Sequence, residues 1–241
     1  MHVKIGTCGF SVGRKKYFKF FKIVEIQKTF YDFVKEETLN KWREEAPSDF
    51  EFSFKVIQLL THPLNSPTYR RMKDVKKFKE NSLKYGFLKN TKEIFEIWKI
   101  MEKVSNILRA RFVVFQFPKS FKRDSTNEKN LIRFFNKVKG SFTPVVEFRD
   151  DSWKEIYEEI IREGIIIGGD PLRQYIPRQR INYFRLHGLT MYRYKYTEED
   201  FKEIYRHLTG DENIVLFNNI YMFEDAILFK QFLNQRGIHI T

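Results

Sequence analysis

Eight short apolar runs are spaced along the chain, and amphipathic stretches separate most of them. The runs are VKIGTCG (3–9), IVEIQ (23–27), EFSFKV (51–56), FVVFQF (112–117), TPVVEF (143–148), IIIGGD (165–170), INYFRLHG (181–188) and NIVLFNN (213–219). Each is rich in β-branched or aromatic residues, the composition of a strand. Between them, apolar positions recur at helical spacing. Leu39, Trp42 and Ala46 make one stripe. Ile94, Ile97, Trp98, Met101 and Leu108 make a second, and Leu131, Phe134, Phe135 and Val138 a third. Trp153, Ile156, Tyr157, Ile160 and Ile161 make a fourth. Phe201, Ile204, Tyr205 and Leu208 follow Thr197, a good N-cap, and Ala226, Phe229 and Leu233 precede Gly237. Strand and helix alternating over 241 residues predict a TIM-type (β/α)8 barrel, a single domain over residues 1–241. An open doubly wound sheet is the competing architecture. Two links break the rhythm. Residues 57–91 form a long excursion after the third strand, and 170–180 joins strands six and seven with two prolines and no helical period.

The polar residues inside these strands share a phase. In a barrel, alternate residues face inward, and function gathers at the C-terminal ends of the strands. Glu25 and Gln27 are two apart, as are Ser53 and Lys55, Glu147 and Arg149, and Arg185 and His187. Gln116 is in phase with Val114, and Asp170 with Gly168; the last strand ends in Asn218 and Asn219. The alternate positions are apolar: Val24 and Ile26, Phe52 and Phe54, Phe115 and Phe117, Val146 and Phe148, Phe184 and Leu186. One charged residue facing a barrel interior is readily explained as half of a buried ion pair. The same phase in seven strands points instead to a polar pocket at the barrel mouth.

Composition adds a sign to that pocket. Lys and Arg number 44 against 31 Asp and Glu, a net charge of +13. Such a field attracts anions, whether small phosphorylated molecules or nucleic acid. The runs RKKYFKFFK (14–22) and YRRMKDVKKFK (69–79) interleave basic and aromatic residues, so nucleic acid is a second expected partner. Cys8 is the single cysteine, which excludes an internal disulfide and suits a reducing compartment. The first residues, MHVKIGTCGF, carry no apolar signal region, and no apolar run is long enough for a bilayer. The expectation is a cytoplasmic protein with no membrane partner.

Several motifs are missing. GxGxxG, GxxxxGK[ST], HExxH, paired-cysteine zinc spacing and GxSxG do not occur. Glu25, Glu147, Asp170 and His187 include metal-ligand types, but Lys55, Arg149 and Arg185 in the same mouth oppose a cation. No metal site and no particular cofactor are expected.

The segments IGTCGFS (5–11), VEIQKTFY (24–31), ETLNKWREEAPSDFEFSFK (37–55), THP (61–63), FQFPKSF (115–121), VEFRDDSW (146–153), YFRLHG (183–188) and FNN (217–219) occur in the order of a known family. Together they resemble the YecE-like family, the domain of unknown function 72, over nearly the whole chain. The resemblance implies a TIM-type barrel and carries no established activity. The chain departs from the family pattern at Gln27 and Lys28, where asparagine and serine are usual, and at Asp150 and Asp151, where histidine and proline are usual.

Two functions are weighed. The first is an enzyme acting on a small anionic or phosphorylated molecule. Lys55, Arg149 and Arg185 would clamp the anion, with Gln116, Asn218 and Asp170 beside it. Glu147 or His187 would transfer protons, and Glu25 would orient Lys55 or serve as a second carboxylate. Tyr31, Trp153 and the 57–80 excursion would form the wall or lid. The second is a nucleic-acid-binding or processing factor that uses the basic runs.

Overall fold

A computed structural model describes residues 2–138, 140–190, 192–238 and 240. Among the described residues the eight strands are β1 (His2–Cys8), β2 (Ile23–Ile26), β3 (Glu51–Lys55), β4 (Phe112–Gln116), β5 (Thr143–Glu147), β6 (Ile166–Ile167), β7 (Ile181–Leu186) and β8 (Glu212–Phe217). They form one parallel sheet in the order β6-β5-β4-β3-β2-β1-β8-β7. The edges β6 and β7 meet at a single bridge, Gly169 with Phe184, so the barrel is nearly closed.

The helices are α1 (Arg14–Phe20), α2 (Lys28–Tyr31), α3 (Glu36–Glu45), α4 (Gln58–Thr61), α5 (Lys76–Lys79), α6 (Lys92–Leu108), α7 (Ser125–Lys137), α8 (Tyr157–Arg162), α9 (Glu198–Arg206) and α10 (Met222–Asn234). Thr197 caps α9 through a reciprocal pair. Its hydroxyl accepts from the Asp200 N–H at 3.3 Å, and the Asp200 carboxylate accepts from the Thr197 N–H at 2.7 Å. The stripe from Trp153 divides into a 3₁₀ turn over Asp151–Ile156 and the short α8. The excursion 57–91 holds only α4, α5 and two 3₁₀ turns, and 170–180 has no helix. Helix α1 was hidden in the run RKKYFKFFK, because Tyr17 alone of that helix is buried and no apolar stripe develops.

Period-two alternation divides the strands as expected. Val24, Ile26, Phe52, Phe54, Phe115, Phe117 and Val146 pack outward into the larger core beneath the helices. Ile23, Phe112, Val114, Val145, Tyr183, Ile214 and Leu216 fill a smaller core within the barrel. The N-terminal end of the barrel is plugged by ions. Lys4 bonds Glu51 and reaches Glu212 at 3.1 Å, while Arg111 reaches Glu212 at 2.5 Å. The interior therefore runs from a charged plug through an apolar layer to a polar layer at the other end.

The seam is where sequence and structure diverge most. The sixth run promised a strand over 165–170, yet β6 spans two residues. The glycine pair sets this limit. Gly169 has φ +150°, and a Cβ at Gly168 would sit 2.6 Å from Val145 Cγ1. Below the single bridge, the side-chain amide of Gln179 replaces a neighbouring strand. Its Oε1 accepts from the Ile167 N–H at 3.1 Å, and its Nε2 donates to the Ile167 carbonyl at 2.6 Å.

Candidate functional site

Above the apolar layer lies a buried charge network. Parallel register sets Glu25 beside Ser53 and Gln116 beside Glu147. Arg185, on β7, stands between the two carboxylates and is 1% exposed. Its Nη2 donates to Glu25 Oε1 at 2.8 Å and its Nε to Glu25 Oε2 at 2.9 Å, while Nη1 donates to Glu147. Tyr183 adds a hydroxyl to Glu25 Oε2 at 2.9 Å and is itself bonded to Ser53 at 2.7 Å. Gln27 donates to the other oxygen of Glu25. Glu147 also accepts from Gln116 Nε2 and from Arg149 Nη2, both at 2.8 Å. Burial disfavours its charge, but Arg149 and Arg185 outweigh that and hold the carboxyl well below the usual carboxylate range.

Two adjacent openings with four lining residues in common lie above this layer. The inner one, about 230 Å³, is lined by Gln27, Arg71, Arg185, His187 and Asn218 together with residues shared with the outer one. The outer one, about 490 Å³, adds Phe30, His62, Lys119 and Arg149. Tyr31, Lys55, Gln116 and Tyr192 line both. Among the described residues, neither opening is lined by an aspartate or glutamate, whereas Lys55, Arg71, Lys119, Arg149 and Arg185 all contribute.

Of the expected site residues, Lys55, Gln116, Arg149, Arg185, His187, Asn218 and Tyr31 come together around the mouth. Four of the expected residues line neither opening. Glu147 is expected to transfer protons, and Glu25 to orient Lys55 or serve as a second carboxylate. Both are buried and line neither opening, with every carboxylate oxygen hydrogen-bonded: Glu25 to Arg185 and Tyr183, and Glu147 to Arg185, Arg149 and Gln116. Asp170 was expected beside the anion. Its carboxylate braces the loop instead, accepting from the backbone N–H groups of Leu172 at 3.1 Å and His187 at 2.9 Å. Burial raises it to about 6. Trp153 was expected as a wall. It is fully buried on the helix side of the sheet, stacked 4.5 Å from Phe148 and 4.9 Å from Phe121, with its indole N–H donated to the Phe121 carbonyl at 2.7 Å. An indole following the outward Phe148 completes the aromatic core better than it faces water.

Lys55 is 6% exposed, and burial together with Arg185 lowers it to about 7. Burial holds His187 and His62 near 3, so both imidazoles are neutral across the physiological range. Arg149 keeps 37% of its side chain exposed and, among the described residues, pairs with Glu147 alone.

Three contributors had not been singled out. Arg71 stacks 3.9 Å from the ring centre of Tyr31, but in sequence it was one basic residue among many. Tyr192 comes from the loop after β7 and has no periodic signal. His62 sits in the THP segment that marked the family, and that was the available clue.

Among the described residues no cluster of three His, Cys, Asp or Glu side chains is arranged to hold a metal ion. None of the described helices is long and apolar enough to cross a membrane.

A TIM-type barrel with its polar side chains gathered at the C-terminal mouth is the class of protein that this architecture defines. A family model described as "Protein of unknown function DUF72" matches residues 13–239, and the chain belongs to that family, the YecE-like proteins. The structure is similar to that of a DUF72 family protein of Thermotoga maritima, at 26% identity and a TM-score of 0.71, covering 97% of this chain and 100% of that one. It also resembles a DUF72 family protein of Enterococcus faecalis, at 15% identity and a TM-score of 0.75, covering 96% and 95%. No curated protein matches the sequence.

Proposed function

We propose that the barrel mouth is the active site of an enzyme for a small anionic or phosphorylated molecule. One observation carries this reading: two adjacent openings at the C-terminal ends of the strands, lined by five lysines and arginines and, among the described residues, by no carboxylate. The acids that balance part of this charge lie below, where they orient the cations without competing for the ligand. Arg149 is the principal clamp, because its guanidinium is half free and planar. Arg71 and Lys55 add charge, Tyr31 and Tyr192 wall the ligand, and Asn218 and Gln27 offer amide hydrogen bonds. His187, held neutral, serves as a hydrogen-bond donor or proton acceptor and not as an imidazolium.

Calorimetry with inorganic phosphate, phosphorylated sugars, nucleotides and 2-oxo acids tests the reading. Saturable binding is expected. Arg149→Gln should weaken it by about tenfold, the loss expected for one charged hydrogen bond, without unfolding a residue this exposed. Absence of binding, or binding indifferent to Arg149→Gln, refutes the assignment.

A second reading has its own observation. The basic run 69–79 adjoins the mouth, since Arg71 lines the inner opening and Thr68 the outer. A nucleic-acid strand would lay its phosphates along that run and present one end to the mouth. Oligonucleotide affinity falling steeply with salt supports this. No binding at low salt rules it out.

A further inference from the structure

Arg149 and Arg185 pair with the carboxylates beneath the mouth, and the direct contacts of the Lys55 amine are to neutral groups. Its Nζ donates to Gln116 Oε1 and lies 3.4 Å from the ring centre of Phe30. Among the described residues no carboxylate comes within ion-pair distance of it, whereas Glu147 pairs with Arg149 and Arg185, and Glu25 with Arg185. Gln116 is fixed in its orientation, because its Nε2 is committed to Glu147 at 2.8 Å. A lysine serving only as a point charge for an anion gains from a nearby acid that keeps it protonated. Burial and the Arg185 cation act against protonation more strongly than the more distant Glu147 and Glu25 favour it, and Lys55 is lowered to about 7. A neutral amine that donates one N–H to Gln116 retains its lone pair. Lys55 lines both openings, so that lone pair is within reach of a bound molecule.

We propose that Lys55 is a covalent nucleophile that condenses with the carbonyl carbon of a small anionic aldehyde or ketone, a 2-oxo acid or a phosphorylated carbonyl compound, whose anionic end Arg149 holds. This rests on the anion-binding reading of the same site and gives that anion a second functional group. The Nζ lone pair forms the N–C bond, and the carbonyl π pair moves to oxygen. Nitrogen releases a proton and oxygen takes one up, giving a carbinolamine. A further proton reaches the hydroxyl, the C–O bond breaks, water departs, and the nitrogen lone pair forms the iminium. The net change is amine plus carbonyl plus one proton to iminium plus water, with no oxidant or reductant. The iminium draws electrons from the adjacent carbon, which is how lysine imines promote cleavage or proton loss there.

Reductive trapping tests the proposal. The whole protein is incubated separately with pyruvate, glyoxylate and dihydroxyacetone phosphate in sodium cyanoborohydride, at about pH 6 and about pH 8, where an ordinary lysine stays protonated. Peptide mass mapping locates the adduct. A single adduct at Lys55 is expected with at least one of these compounds. The yield should rise between the two pH values, fall in Arg149→Gln, and vanish in Lys55→Arg. Lys55→Met, which keeps the packing stem, controls for misfolding. The carboxylate and phosphate compounds reveal which anionic end the site takes. Calorimetry on the same samples separates the two ideas. Saturable anion binding with no adduct, or with adducts spread over surface lysines, overturns the nucleophile and leaves the anion site standing. Neither binding nor adduct overturns both.

Discussion

Arg185 and Glu25 meet side by side inside the barrel, with two nitrogens of the guanidinium at 2.8 and 2.9 Å from the two carboxylate oxygens. Both residues are buried, and Arg185 bonds Glu147 as well. A cation in this position holds two buried anions in place. Replacing it by an uncharged chain of similar size, Arg185→Met, strands Glu25 without a cation and leaves Glu147 with Arg149 alone. Removing one partner of a buried pair costs about 3–5 kcal/mol. Urea denaturation should therefore show a loss of that size. Arg185→Lys should fall between, since it keeps the charge and loses the planar fork. A Met variant as stable as the parent would mean that water reaches the network.

Acid should destabilise the fold through its histidines. His62 and His187 are held near 3, below their ordinary value of 6.5. The unfolded chain therefore takes up protons that the fold refuses, and stability drops as pH falls from about 6.5 toward 3. Glu147, depressed far below its ordinary 4.5, adds to the loss at the acid end. Asp170 acts in the opposite sense. Raised to about 6 from 3.8, it contributes stability at low pH that is lost as pH rises through 6. Burial also raises Asp225, which acts in the same sense as Asp170, so the histidines' loss is partly offset and the net slope is at most about 1 kcal/mol per pH unit. Denaturation curves at several pH values should show it, and His62→Gln should flatten it.

The inward polar set was legible because strand alternation is rigid. Once Val114, Val145 and Tyr183 face inward, Gln116, Glu147 and Arg185 must follow two residues later. What a residue does after it arrives depends on partners from other strands. Nothing in VEFRDDSW reveals that Glu147 is shared among Arg149, Arg185 and Gln116, or that Trp153 turns away from the mouth. Arg71 and Tyr192 lie on irregular segments with no period to read, and only the folding of the excursion and of the loop after β7 brings them to the pocket. The fold was more legible than the site for the same reason. Alternation constrains the sheet locally, while an active-site surface is assembled from distant loops.

Trp153 offers a direct check on its corrected place. Trp153→Ala removes a stacked ring and the hydrogen bond to the Phe121 carbonyl from a fully buried position. A loss of about 3–5 kcal/mol is expected. Phosphate affinity of the folded fraction should not change, because the indole lies behind the sheet. A variant that keeps its stability but loses anion binding would return Trp153 to the mouth.

Gln179 should be the fastener of the barrel seam. Its side-chain amide makes both hydrogen bonds that a neighbouring strand would otherwise make to Ile167, at 3.1 and 2.6 Å. Gln179→Leu keeps much of the bulk and removes both bonds, so a buried N–H and C=O lose their partners. The cost of such orphaned groups is about 1–3 kcal/mol. The sharper signature is local. Amide exchange at Ile167 should accelerate far more than at Val146, which is on the neighbouring strand β5 with its register to β6 intact. Equal acceleration at both sites would show that the seam opens only with the whole barrel, and that the side-chain clasp holds nothing by itself.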